Sequence, residues 1–159
     1  MVPIIVILFG SIAAVIFALV YKAKSDTKKQ IQQLEAQLAK VAQQHRISWS
    51  DQLISKHRAF AWCADKRILF FTDDSDTGGR NHLVDMNQVT HCKLIEQLVS
   101  TPVEKGAPAE KTITGVAIEL CFDSKECIAL PMYTEIEDGL FERTRLTEEA
   151  RRWITLIQA

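Results

Sequence analysis

VAIELCFDSKECIALPM, residues 116–132, alternates apolar and polar positions more regularly than any other stretch of the chain. Val116, Ile118, Leu120 and Phe122 share one face, and Ile128, Leu130 and Met132 share another. If both sets serve one core, the intervening loop must contain an odd number of residues, because a slip of one residue turns a strand over. A three-residue loop at Ser124–Glu126 meets that condition. It also places Cys121 and Cys127 on the face away from the core as diagonal neighbours, a relation that disfavours a strain-free disulfide.

The same period extends upstream. AFAWCA (59–64) puts Phe60 and Trp62 on one face, Asp65-Lys66 reads as a turn, and RILFFT (67–72) reads as a second strand. A polar loop, DDSDTGGR (73–80), follows. Two more extended segments, 81–89 and 91–98, are joined at Asn87-Gln88, and 101–111 is a Pro/Gly/Glu loop. At the other end, Thr147 reads as an N-cap with Glu148 and Glu149 in the first turn. Leu146, Ala150, Trp153, Ile154 and Ile157 make one apolar stripe. Strands followed by one amphipathic helix give an α+β expectation: an antiparallel β-sandwich or barrel capped by a C-terminal helix.

Before the strands the period is different. Residues 23–48 are rich in Gln, Ala and Lys and contain no Gly or Pro, which predicts a helical stalk. Ile31, Leu34, Leu38 and Val41 follow the 3-4-3 spacing of a short coiled-coil seam. Two readings stand: a self-association or partner-binding surface, or an amphipathic helix lying on its own domain. Residues 2–21, VPIIVILFGSIAAVIFALVY, are uncharged and long enough for a transmembrane helix. Gly10 and Ala14 form a small-xxx-small pair suited to close helix packing in a membrane. Lys22, Lys24, Lys28 and Lys29 flank the run, in reach of anionic lipid headgroups, and place the C-terminal side in the cytoplasm. The run is too long for the apolar core of a signal peptide. The expected organisation is therefore an anchor at 1–22, a stalk at 23–48 and a folded domain at 49–159. The expected location is a bacterial inner membrane, crossed once, with the N-terminus outside. In the cytoplasm Cys63, Cys92, Cys121 and Cys127 are expected as thiols.

Candidate chemistry is sparse. The chain of 159 residues carries a net charge of -1 and no basic stripe outside the lysine flank, so no nucleic-acid partner is expected. Asp74, Asp76, Gly79 and Asp85 match part of a calcium loop, but position 5 is Gly78 and position 12 is not Glu. The acidic hairpin loop explains the same letters, and Asp74, Asp76 and Asp85 stand only as weak metal candidates. His91 beside Cys92 invites a nucleophile reading. Neighbours on a strand point to opposite faces, so His91 is badly placed to serve Cys92 as a base. His57, His91, Cys63 and Cys92 lack structural-zinc spacing. Trp62 and Trp153 fit core faces, and Trp49 sits where stalk meets domain. No catalytic residues and no cofactor are expected.

Residues 50–158 resemble a small bacterial pleckstrin-homology-like domain. The resemblance rests on short strands, the long loop before the 116–122 strand, a terminal helix ending in ARRWITLIQA, and NHLVDMNQVTHCKLIE (81–96), where Leu83, Met86 and Val89 turn from one strand into the next. It implies a sandwich or barrel fold. The first hairpin offers only Lys66 and Arg67, so the implied role is protein interaction rather than lipid-headgroup binding. The functional expectation is a membrane-anchored cytoplasmic adaptor, a subunit or accessory of a larger membrane assembly. Its partners would be the lipid bilayer and a protein or second copy held through anchor and stalk. The alternative is a membrane-tethered enzyme or ligand sensor whose pocket the sequence does not display.

Overall fold

The computed structural model describes the backbone of residues 2–74, 80–101 and 110–158, and the side chains of 18–74, 80–99 and 112–158. The elements run α1 (Val2–His45), β1 (Asp51–Ile54), β2 (Arg58–Cys63), β3 (Ile68–Asp73), β4 (Arg80–Asp85), a 3-10 turn at Met86–Gln88, β5 (Val89–Thr101), β6 (Glu110–Phe122), β7 (Cys127–Thr134), α2 (Glu135–Asp138), a 3-10 turn at Leu140–Glu142, and α3 (Arg143–Gln158). The strands make two antiparallel sheets, ordered β1-β2-β3-β4 and β5-β6-β7.

The first sheet is covered on both faces, and its residues are sorted accordingly. On β2, Phe60 and Trp62 join a core with Leu69, Phe71 and Val84 from the same sheet and Met86 from the turn after β4. That core also takes Val116, Ile118, Leu120, Leu130 and Met132 from the second sheet, and Leu146, Ala150, Trp153 and Ile157 from α3. The intervening residues of β2, Ala59 and Ala61, face the other way with Phe70, and Leu34 and Leu38 of α1 cover them. Two alanines at the contact let the helix approach the sheet closely. Val41, Trp49 and Ile54 pack around its margin.

Polar contacts fix where α1 lies and where it stops. Thr72 Oγ1 donates to Gln37 Oε1 at 3.1 Å, and Trp49 Nε1 donates to the Leu38 carbonyl at 3.1 Å. The Trp49 ring stacks on Phe70. The helix ends without glycine. Arg46 takes a left-handed φ of 50°, Ile47 N reaches back to Ala42 O and Arg46 N to Gln43 O, the paired bonds of a Schellman stop. Lys66, in the β2–β3 turn, donates to the carbonyls of His45 and Arg46 and so caps the exposed end of the helix.

Several expectations are corrected. Among the described residues no helix is long and apolar enough to cross a membrane. The single-pass anchor, its inner-membrane location and its orientation are therefore not retained. From Ala18 onward α1 soon meets Lys22, Lys24, Asp26, Lys28 and Lys29; the side chains of 2–17, with Gly10 and Ala14 among them, lie outside the described residues. The expected sandwich or barrel is not formed either. The seven strands among the described residues stay in two separate sheets, and β4 passes to β5 through a 3-10 turn instead of pairing with it. The α+β class stands, as two small antiparallel sheets with helices. The C-terminal helix begins at Arg143, a turn before the expected cap. Thr147 is inside it and buried. The 101–111 loop falls largely outside the described residues.

The hairpin register also differs. Leu120 pairs with Ile128 and Cys121 with Cys127, so the register is shifted by two residues and the three-residue turn falls at 123–125 instead of 124–126. The bond from Phe122 N to Glu126 O closes the turn, and Cys121 and Cys127 are directly opposed and disulfide-bonded. A bulge where Val116 pairs with Tyr133 and Ala117 with Pro131 leaves both Met132 and Tyr133 buried. Pro131 is tolerated because β7 is an edge strand.

Leu34 and Leu38 are 1% and 2% exposed. Truncating either to alanine is expected to cost about 2–5 kcal/mol in denaturant unfolding, because it opens a cavity against Ala59, Ala61 and Phe70. The loss should not depend on protein concentration, as it would if the seam joined two chains.

Candidate functional site

Arg58 is the first residue of β2 and is 2% exposed, an unusual place for a guanidinium. Three carboxylates surround it. Nη1 meets Asp138 Oδ2 at 2.7 Å, Nη2 meets Glu137 Oε2, and Nε lies 3.5 Å from Asp73 Oδ2. Nη2 also donates to Thr134 Oγ1 at 3.3 Å. Thr134 completes the ring: its amide donates to Asp138 Oδ2 at 2.8 Å and its hydroxyl to Glu137 Oε2 at 2.9 Å. One buried cation thus ties the start of β2 and the end of β3 to the segment that follows β7. Beside it, partial burial, with Lys56 and Arg58 adding to it, holds the His57 imidazole below the usual histidine range.

The segment pinned this way is α2 and the turn after it. Gly139 closes α2 with φ 76° and ψ 166°, a conformation open essentially to glycine alone. The chain then presents apolar side chains to solvent. Ile136 is 98% exposed, Leu140 57% and Phe141 101%. Clefts lie on both sides of Ile136. One of about 310 Å³ is lined by Arg58, Asp73, Arg80, Pro131, Thr134 and Glu137 as well as Ile136. The other, of about 490 Å³, is lined by Gln97, Thr114, Thr134 and Glu135 with Ile136. A rigid, buried ion cluster therefore carries an exposed apolar tip flanked by grooves.

The residues singled out in the sequence are dispersed. Leu34, Leu38 and Val41 lie against or beside the outer face of the first sheet, and Ile31 lines a cleft with Ile54. Lys22, Lys24, Lys28 and Lys29 are exposed on α1. Asp74 follows β3, and its amide donates to the His57 carbonyl. Asp85 ends β4, and its carboxylate accepts from Asn87 N at 3.0 Å, capping the 3-10 turn. Asp76 lies outside the described residues. Since β3 and β4 pair along their whole length, with Asp73 opposite Arg80 and Ile68 opposite Asp85, Asp74 and Asp85 stand at opposite ends of a hairpin and do not share an ion. Cys92 packs against the core, and burial pushes its thiol up to about 11. His91 is exposed on the opposite face of β5, as strand alternation requires. Sequence reasoning missed the Arg58 cluster. The available signal was a charged residue opening an otherwise fully apolar strand, followed much later by Thr134 and an acidic EIED run.

Arg58→Ala leaves three carboxylates facing a void and should cost about 3–5 kcal/mol. It should also free the α2 segment, seen as faster limited trypsin cleavage at Arg143 and Arg145 under native conditions. A second expectation concerns Cys92. Alkylation of native protein, followed by peptide mapping, should find it nearly inert near neutral pH, with the rate rising about tenfold per pH unit as its thiolate forms.

No family model, no curated protein and no solved structure matches the chain.

Proposed function

We propose that the chain is a protein-interaction module, acting as an adaptor or accessory subunit in a larger assembly, with the α2 segment as its contact point. The observation that carries this reading is the near-complete exposure of Ile136 and Phe141 on a segment locked from beneath by Arg58. Exposed apolar side chains scattered singly are ordinary. Here three fall within six residues, at positions held rigid by buried ion pairs and one glycine. Rigid anchors lose little conformational freedom on binding, which favours their use at interfaces. Burying one isoleucine and one phenylalanine on a partner contributes about 1.5–3 kcal/mol each. The adjoining grooves accept side chains from the partner and supply a polar rim through Arg80, Glu135 and Glu137. The α1 seam contributes by covering the first sheet, so pairing of two chains through Leu34 and Leu38 would first have to uncover it.

The test compares the tagged wild-type chain with Ile136→Ser/Phe141→Ser by quantitative co-purification. Both substitutions are at the surface, so thermal stability should change by no more than about 0.5 kcal/mol each. Partners retained by wild type should be lost from the double variant, with affinity for a purified partner falling about a hundredfold or more. Equal recovery by both proteins would overturn the reading.

A further inference from the structure

The outer face of the second sheet carries a separate cluster. Cys121 on β6 is paired in register with His91 on β5 and with Cys127 on β7, so the three form a row across the sheet. Glu119 is two residues back on the same face of β6, and its Oε2 lies 3.7 Å from Cys121 Sγ. Lys93, paired with Glu119, places Nζ 2.7 Å from the same carboxylate. The ligand atoms of Glu119, Cys121 and Cys127 all fall within 4.8 Å of one another. Among the described residues no other trio of His, Cys, Asp or Glu side chains converges in this way. The row faces solvent: Cys127 is exposed, Cys121 and Glu119 are half-buried, and the alternate residues Ile118, Leu120 and Leu130 fill the core.

We propose that this face is a redox-gated site for one zinc-type divalent cation, held by Cys121 Sγ, Cys127 Sγ and a Glu119 carboxylate oxygen when the two cysteines are thiols. The disulfide is the closed form of the same site. Two equivalents of a thiol reductant open it: the first attacks one sulfur to give a mixed disulfide and releases the other cysteine. The second then displaces the reductant as its own disulfide, leaving two protein thiols. The cation binds as both thiols give up their protons, and Glu119 exchanges its ion pair with Lys93 for the metal. An oxidised small-molecule disulfide reverses the cycle after metal release.

The geometry suits both states. Phe122 and Glu126 form the hydrogen-bonded pair that closes the turn, so Cys121 and Cys127 are the next, non-hydrogen-bonded pair, with Cα atoms 4.1 Å apart. Two sulfurs on one tetrahedral zinc lie about 3.8 Å apart for Zn–S bonds near 2.3 Å, a separation such neighbours reach by side-chain rotation. Two thiolates with one carboxylate suit zinc over magnesium or calcium. Three protein ligands leave a fourth position, and His91 is the nearest imidazole along the row. Cys63, which is buried, and Cys92, whose thiol is pushed to about 11, are poor competitors for the ion.

The test uses the full chain with cobalt(II) as a spectroscopic stand-in and zinc as its competitor. The chain reduced with a phosphine should bind one cobalt(II) with a thiolate-to-metal charge-transfer band, and zinc should abolish that band. The oxidised chain should show none. Cys121→Ser/Cys127→Ser should lose the band, with circular dichroism confirming the fold. Glu119→Gln should keep the thiolate band but bind more weakly. The proposal is overturned if the reduced wild-type chain gives no band, if the oxidised chain binds equally, or if the folded double-serine variant retains the band.

Discussion

Trp153 holds together two sheets that, among the described residues, share no strand pairing. Its indole is 0% exposed and lies 5.6 Å from the Phe60 ring of the first sheet, in one cluster with Leu130 and Met132 of the second. Polar contacts along α3 repeat the same bridge at the surface. Arg152 pairs with Asp51 of β1 at 2.6 Å, Arg151 with Glu96 of β5 at 3.1 Å, and Gln158 donates to the Cys92 carbonyl at 3.1 Å. The surface pairs contribute little each. The buried aromatic contact is what makes one core out of two sheets, since each inner face would otherwise be left in water.

That constraint propagates outward. Once α3 and the second sheet fill one face of the first sheet, its central strands still present an apolar second face, and α1 is the element that covers it. The outer face of β5-β6-β7, by contrast, carries Lys93, Glu119, Cys121 and Cys127, polar or reactive side chains at positions where the first sheet has alanine and phenylalanine. The two sheets are thus built for different surroundings: one layered between cover and core, the other with an open face. Arg58 stands at the margin of the covered sheet, where a free charge would be intolerable, and three carboxylates with a threonine satisfy it.

Much of the architecture was legible because strand alternation and helical spacing are local. Phe60 and Trp62 facing the core, the turn at Asp65-Lys66, the break at Asn87-Gln88 and the Leu146–Ile157 stripe all follow from residue order alone. What failed was non-local. The hairpin at 116–132 gave the faces correctly but not the register, because parity allows registers that differ by two residues, and that difference moves Cys127 from a diagonal to a direct partner of Cys121. The short strand β1 has no pattern of its own and exists through pairing with β2. A 3.6 period in α1 reads the same whether its seam meets another chain or its own sheet. Nor does the period of two distinguish a closed barrel from two separate sheets, since closure depends on which edges meet.

The Arg58 cluster was illegible for a related reason: Arg58 and Asp138 are 80 positions apart, and no spacing rule connects them. Its effect is nonetheless local and sharp. A four-residue helix closed by a glycine has little stability of its own. Left alone, it would sample many orientations, and Ile136 and Phe141 would find cover against any nearby apolar surface. The buried guanidinium removes that freedom through contacts to Thr134, Glu137 and Asp138. Folding energy spent on burying a charge is thereby converted into fixed exposure of two large apolar side chains, an arrangement that stabilises nothing within the chain itself. Its physical consequence is an apolar tip held open to solvent at a fixed place on the surface.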